Sequence, residues 1–174
     1  EYDEHPKPNP GDTSTAPENV QDGASVIKSF IDALMQSPTW KTSAFVLSYD
    51  ESGGFADHVV PLPMTPPDGI PPGVVIGQDA SGLFNMSGGR VPAVVVSPWT
   101  IPHFVSHTVR DHTAILKLIE TRFSLPPLTS RDAAADNMAE FFNFASPSYM
   151  VPPSMPAQPT SMPCNLSLEA APNQ

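Results

Sequence analysis

Residues 45–58 read Phe-Val-Leu-Ser-Tyr-Asp-Glu-Ser-Gly-Gly-Phe-Ala-Asp-His, and they gather carboxylates, paired glycines and an imidazole into one short span. Asp50 and Glu51 are adjacent. Neighbouring carboxylates repel unless a proton, water or a cation separates them. A hard metal ion resolves the conflict, because carboxylate oxygens are natural ligands for such ions. Gly53 and Gly54 follow, and glycine lets backbone N–H groups come close to an anion. Asp57 and His58 then bring a second acid and an imidazole back within the same loop. Asp-Glu-Ser-Gly-Gly is also good turn chemistry, and composition alone leaves the two readings level. The position of Asp50 at a strand end, with Asp57 and His58 returning so soon, favours a site.

Elements that could position these groups are legible on both sides. Ala44-Phe45-Val46-Leu47 is an apolar run of strand formers and predicts a buried strand. In open α/β sheets, ligands bind just past the carboxyl ends of strands. Upstream, Thr15-Ala16-Pro17-Glu18 is a capping-box start. Val20, Ala24, Ile27, Ile31 and Leu34 then recur at helical spacing, with Gly23 as the weak position, and Ser37-Pro38 stops the helix near Gln36. Downstream, residues 59–90 are dominated by Pro and Gly, with Val74-Val75-Ile76 as a short candidate strand. Val91-Pro92-Ala93-Val94-Val95-Val96-Ser97 predicts a second buried strand, with Pro92 near its start.

Residues 101–112 hold His103, His107 and His112. Asp111 can cap the following helix, whose buried side would carry Ile115, Leu116, Leu118, Ile119 and Phe123. His112 would lie in the first turn, where the positive end of the helix dipole favours a neutral imidazole. A plain cap and a packed histidine account for the same spacing. Residues 132–142 predict a shorter helix packed through Met138, Phe141 and Phe142, and residues 145–174 a Pro-, Ser- and Met-rich extended tail.

The 174 residues suit one domain or part of a larger one. Nine Phe and two Trp allow a core, whereas 23 Pro commit much of the chain to loop. The net charge of −10 excludes a basic nucleic-acid footprint. An anion site would therefore need a local cation or aimed backbone donors. No segment approaches the length of a transmembrane helix. The chain opens on Glu1 without a leader, as a processed or excised chain would. Two sequons, at Asn85 and Asn165, together with the acidic balance, favour a secreted glycoprotein. Cys164, the one cysteine, is then a free thiol or has its partner on another chain.

Tyr49-Asp50-Glu51-Ser52-Gly53-Gly54-Phe55-Ala56-Asp57-His58-Val59 resembles the signature of the phosphoesterase family, which contains bacterial phospholipases C, acid phosphatases and fungal homologues. Asp3-Glu4-His5-Pro6, Ser37-Pro38-Thr39-Trp40, Gly89-Arg90-Val91-Pro92, Val96-Ser97-Pro98-Trp99, Asp111-His112-Thr113, Ile119-Glu120-Thr121-Arg122-Phe123 and Arg131-Asp132-Ala133 match in the same order. The resemblance implies an α/β fold of the alkaline-phosphatase-like three-layer type with long Pro/Gly-rich loops. Residues 1–144 would be the carboxyl-terminal half of the catalytic domain. It also implies hydrolysis of a phosphate ester or phospholipid head group, with a Ser or Thr nucleophile attacking phosphorus beside one divalent metal. By position, Asp50 and Glu51 would be metal ligands. His5, Asp57, His58 and His112 would surround the phosphate, and Gly53 and Gly54 would approach it through their backbone. Arg110 stands where the family often has Tyr, and a cation there is a candidate phosphate contact.

Nothing in the chain resembles the family's Glu-Asn metal-binding pair or its nucleophile, which implies an amino-terminal half on another segment or chain. Two other functions fit the same residues. One is a non-catalytic secreted binding protein that retains the fold. The other is a distinct metallohydrolase completed by Asp50, Glu51, His58 and His112.

Overall fold

A computed structural model of the chain describes residues 20–52, 56–75, 78 and 82–157. His5, Gly53, Gly54, Ile76, Cys164, Asn165 and the capping box of residues 15–18 lie outside the described residues. The described part is mixed α/β. Helix α1 (Val20–Gln36) leads through a short 3₁₀ turn (Trp40–Thr42) to strand β1 (Phe45–Ser48). Strand β2 (Ala93–Val96), helix α2 (Thr113–Phe123), helix α3 (Ser130–Ala134) and a second 3₁₀ turn (Ala139–Phe141) follow. No described helix is long and apolar enough to cross a membrane.

The stripe on α1 packs as its spacing requires. Ile31 and Met35 are buried, and Ile27 and Leu34 lie beside them. These side chains meet Trp40, Phe45 of β1 and Val96 of β2, so the core sits between α1 and the sheet. Tyr149 and Met155 close the same cluster. Residues 146–157 form no helix or strand but are docked. Ser148 and Tyr149 donate their N–H groups to the Pro98 carbonyl at 3.0 and 3.1 Å. The Trp40 indole N–H donates to the Tyr149 carbonyl at 2.9 Å.

β1 and β2 pair antiparallel, with Phe45 opposite Val96 and Ser48 opposite Ala93. This register puts the outgoing end of β1 beside the incoming end of β2. Both strands were expected to be buried. Instead β1 is half-buried throughout, and Ala93 and Val94 of β2 are exposed, because the described sheet has two strands and its cover comes from α1. Val74 and Val75 form no strand, and residues 59–75 run as loop apart from a single bridge between Pro63 and Met86.

Two helix predictions need correction. On α2 the buried residues are Ala114 and Glu120, whereas Leu116, Ile119 and Phe123 are exposed. The small Ala114 lets the backbone approach its neighbours, and Glu120 turns towards α3. The helix expected over residues 132–142 is split. α3 ends before Ala135, which is extended, and Met138 takes a left-handed conformation at φ 58°. The Asp136 carboxylate accepts the Met138 N–H at 2.8 Å, and the Asn137 side chain accepts the Ala139 N–H at 3.0 Å. Side-chain acceptors of this kind compete with helical backbone bonds. The packing side chains still land as expected. Met138 is buried, Phe141 meets Phe104 edge-on at 5.6 Å, and Phe142 stacks on Phe144 at 5.4 Å.

Candidate functional site

The antiparallel turn of the sheet gathers residues from four places in the chain. β1 ends at Ser48, and Tyr49, Asp50 and Glu51 emerge from it. The Tyr49 N–H still reaches the Pro92 carbonyl at 3.4 Å, so the approach to β2 runs alongside. Gly89 lies there. A Cβ added to it would stand 3.4 Å from the Ser52 Cβ and 3.7 Å from the Asp57 Cβ. Ser52, Asp57 and Gly89 therefore converge beside the Asp50 carboxylate's own loop.

α2 completes the cluster. The Asp111 carboxylate accepts the Thr113 N–H at 2.9 Å and also the Thr113 hydroxyl, so it satisfies the first backbone donor of α2, but the cap position expected for Asp111 falls one residue later and His112 precedes the first turn instead of lying in it. His112 occupies the cap position itself. Its Nε2 lies 2.6 Å from the Tyr49 carbonyl oxygen. With Nε2 protonated, the imidazole donates to that carbonyl and ties the start of α2 to the residue before Asp50.

Asp57 is the most strongly held group in the cluster. Arg90 grips it with a two-pronged guanidinium contact, Nη2 to Oδ1 at 2.8 Å and Nε to Oδ2 at 2.9 Å. The Arg90 N–H adds a bond to Oδ2 at 2.8 Å, and the Val59 N–H one to Oδ1 at 3.0 Å. Paired guanidinium bonds of this kind fix a carboxylate's orientation as well as its charge. Arg90 thus holds the Asp57 carboxyl well below the usual carboxylate range, aided by the Arg90 and Val59 backbone donors. Sequence reasoning did not single out Arg90 as a site residue. The signal was its place as the one cation in Gly89-Arg90-Val91-Pro92.

A depressed carboxyl pKa contributes stability above the ordinary Asp value, and that contribution is lost as the pH falls through the lowered one. Arg90→Gln is therefore expected to return the Asp57 titration toward about 3.9 and to loosen the 57–59 loop. Carboxyl carbon NMR of Asp57 checks this, and an unmoved titration would show that Arg90 does not hold it.

The other expected site residues are spread more widely. Asp50 and Glu51 are exposed, and the Asp50 carboxylate accepts the Glu51 N–H at 3.0 Å. His58 has Nδ1 3.9 Å from Asp57 Oδ1, but its side chain is 89% exposed. His103 and His107 are exposed on the 101–112 segment. Arg110 is not at the sheet end. Its guanidinium is bound by Asp136 at 2.6 Å and Glu140 at 2.5 Å, lies 5.3 Å from the centre of the Phe141 ring, and donates to Ser106. The Ser106 hydroxyl and then Arg110 hold the Glu140 carboxyl below its ordinary range. A cavity of about 100 Å³ lies beside this network, lined among others by Thr65, Arg110, Asp111, Arg131 and Asp136. Asp50, Glu51, Asp57 and His58 do not line it.

Two consecutive carboxylates suit a hard divalent ion by chemistry. They do not suffice by number. Among the described residues, no group of three or more His, Cys, Asp or Glu side chains could hold a metal ion. Asp50 and Glu51 can thus be part of a metal site whose other ligands lie beyond the described residues.

Comparisons with known proteins place this cluster in a family. The model of the phosphoesterase family matches residues 3–126, which include the loop after β1, the approach to β2 and all of α2. The chain is 41% identical over 144 residues to phospholipase C B of Mycobacterium tuberculosis, covering 75% of this chain and 27% of that protein. It is 33% identical over 168 residues to non-specific phospholipase C3 of Arabidopsis thaliana, covering 90% of this chain and 29% of that protein. It is 32% identical over 179 residues to the non-hemolytic phospholipase C of Burkholderia pseudomallei, covering 87% of this chain and 25% of that protein. The chain spans about a quarter of the length of these relatives. On the match across residues 3–126, with the sheet-end cluster inside it, the chain belongs to the phosphoesterase family.

Proposed function

We propose that this chain is part of a phospholipase C-like hydrolase of phosphoric esters, and that the end of the sheet at Asp50 is its share of the reaction centre. The observation that carries the reading is the 2.6 Å contact from His112 Nε2 to the Tyr49 carbonyl. It brings residues 63 positions apart to the point where the adjacent carboxylates leave the strand, and the family match over residues 3–126 supports reading that point as a phosphoester site. The substrate is a phosphate ester or a phospholipid head group. The surrounding fold is the alkaline-phosphatase-like sandwich with long Pro/Gly-rich loops. The half-exposure of the two described strands supports a larger sheet completed by an amino-terminal segment or chain.

In this reading Asp50 and Glu51 hold one divalent metal together with ligands outside the described residues. When bound, the ion polarises the phosphoryl oxygen and stabilises developing charge. The chain's own groups set up that chemistry. Arg90 neutralises Asp57 and fixes the loop that carries His58. His58, exposed beside the site, is free to donate a hydrogen bond or a proton to a phosphate ester. His112 anchors the backbone beneath Asp50. His5, Gly53 and Gly54 belong to the same surroundings by family position. Arg110 keeps the 106–110 segment in register and reaches phosphate only by leaving Asp136 and Glu140. The nucleophile comes from outside the 174 residues. The protein is secreted, with Asn85, which is exposed, and Asn165 as glycan acceptors.

The test compares the 174-residue chain with an enzyme carrying the whole family length, using p-nitrophenyl phosphate and a phosphatidylcholine substrate. The longer enzyme is expected to turn over with metal, and the 174-residue chain to show little or none. Metal-dependent turnover by the pure chain would overturn the external nucleophile. Failure of the longer enzyme on every phosphate ester would favour a binding protein that kept the fold.

A further inference from the structure

We propose that Glu120 of α2 and Asp132 of α3 share one buried proton, and that losing it as the pH rises loosens α3 from α2. Both residues lie where charge is hard to keep. Asp132 is fully buried, and Glu120 is 6% exposed. Burying a carboxylate is costly unless donors satisfy it.

The donors are divided unequally between the two. Asp132 accepts the Leu128 N–H at 2.6 Å on Oδ2 and the Thr129 N–H at 2.7 Å on Oδ1. The Thr129 hydroxyl donates to Oδ1 as well, and the two residues form the capping box that starts α3. Asp132 is thus built to be ionised. Both oxygens of Glu120 are buried without a hydrogen-bond partner, and the Leu128 N–H, which bears weakly on Glu120, is given to Asp132. Its carboxyl is turned to the start of α3, since Lys117 Nζ lies between Glu120 Oε2 and the carbonyl of Ala133, the residue after Asp132, and Asp132 is the neighbour that shifts it most. Two carboxylates cannot bond each other. One proton on Glu120 converts the contact into a donor bond to Asp132 and removes a buried charge at the same time.

The groups around the pair are few. Lys117, one turn earlier on α2, has Nζ 3.9 Å from Glu120 Oε2, and its hydrogen bond goes to the Ala133 carbonyl at 3.1 Å. It is the one cation opposing the proton on this face among the described contacts. On α3, Arg131 points elsewhere, to the carbonyls of Thr65 and Phe84 and to Asp111. Arg122 lies 5.1 Å from the ring centre of Phe123. The titration follows from this layout. The Asp132 carboxyl and then burial push Glu120 above its ordinary value, and Lys117 and the Leu128 N–H oppose them. Burial works against ionised Asp132, but the donors of Thr129, Glu120 and Leu128 outweigh it and hold Asp132 below its ordinary range.

The signs are opposite for the two groups. Asp132 contributes stability above the ordinary Asp value of about 3.9, lost as the pH falls through its lowered value. Glu120 contributes fully below the ordinary Glu value of about 4.3, lost as the pH rises through its raised one. The joint is therefore tightest between the lowered Asp132 value and the raised Glu120 value, and it slackens on the alkaline side. Its reach extends to the reaction centre, since Arg131 of α3 lies 3.4 Å from the Asp111 carboxylate, next to His112. That last consequence rests on the function proposed above, but the proton itself does not.

The test follows the Glu120 and Asp132 carboxyl carbons of the full chain by NMR against pH, together with the melting temperature. Glu120 is expected to titrate above the ordinary Glu range while Asp132 stays ionised. Wild-type melting temperature should fall across that same interval. In Glu120→Gln, which offers Asp132 a permanent amide donor, the fall should disappear. Lys117→Met, which removes the opposing cation, should move the Glu120 titration further up. A Glu120 carbon that titrates in the ordinary range, or a Glu120→Gln protein with an unchanged alkaline fall, overturns the proposal. If Glu120→Gln does not fold, the wild-type titration decides alone. None of these readouts depends on phosphoester hydrolysis, so failure of that activity would leave them unchanged.

Discussion

Asp50→Ala in the full-length enzyme is expected to abolish stoichiometric metal binding and to lower phosphoester hydrolysis by at least about 100-fold. The size follows from the role proposed for the ion. Metal stabilisation of transition-state charge is worth several kcal/mol, and each 1.36 kcal/mol is about tenfold in rate. The fold should survive, because Asp50 is exposed and its carboxylate accepts the N–H of its own neighbour, Glu51. Asp50→Asn is the sharper variant, since it keeps the shape and an acceptor while losing the charge. Metal content, circular dichroism and initial rates are measured on the same preparations. Unchanged metal content and rate in both variants would end the case for this carboxylate pair. The rivals separate on the same data. A binding-only protein holds no stoichiometric metal in any variant. A metallohydrolase completed by Asp50, Glu51, His58 and His112 holds it in the 174-residue chain alone and loses it in Asp50→Ala.

The second large effect is on stability. Trp40→Ala is expected to cost roughly 3–5 kcal/mol, the usual range for truncating a buried aromatic. Trp40 is 3% exposed and joins Ile31 and Met35 of α1 in the core. Its indole N–H is also the bond that docks the closing segment on the Tyr149 carbonyl. Set against a typical total of about 5–15 kcal/mol, the loss leaves a barely folded chain. Trp40→Phe separates the two contributions, keeping most of the packing and losing the bond. Urea unfolding of the three proteins measures both. A loss below about 1 kcal/mol for the alanine variant, the typical scale of an ordinary point change, would mean that the core does not depend on this ring.

The two predictions probe different layers of the molecule. Trp40 belongs to the packing that holds α1 on the sheet, whereas Asp50 projects from the sheet's far end, where little of the fold depends on it. A side chain so exposed contributes little stability, which makes a large loss of rate there a reading of chemistry.

The amino-acid sequence by itself determined the family, the apolar stripe of α1, both strands within about a residue or two of their ends, and the start of α2 just after Asp111. Those features are local. Side-chain period, strand propensity and cap chemistry act within a few residues, so they can be read from spacing alone. The tertiary structure decided how the pieces meet. Antiparallel pairing of β1 and β2 brought Arg90 onto Asp57, 33 residues away, and the start of α2 onto Tyr49, 63 residues away. It also placed Arg110 in a network with Asp136 and Glu140, and buried Glu120 where an apolar face was expected. Charged side chains reach several ångströms and bond whatever the fold sets opposite them. Their partners are therefore a property of the packed chain, and no periodicity along it records them.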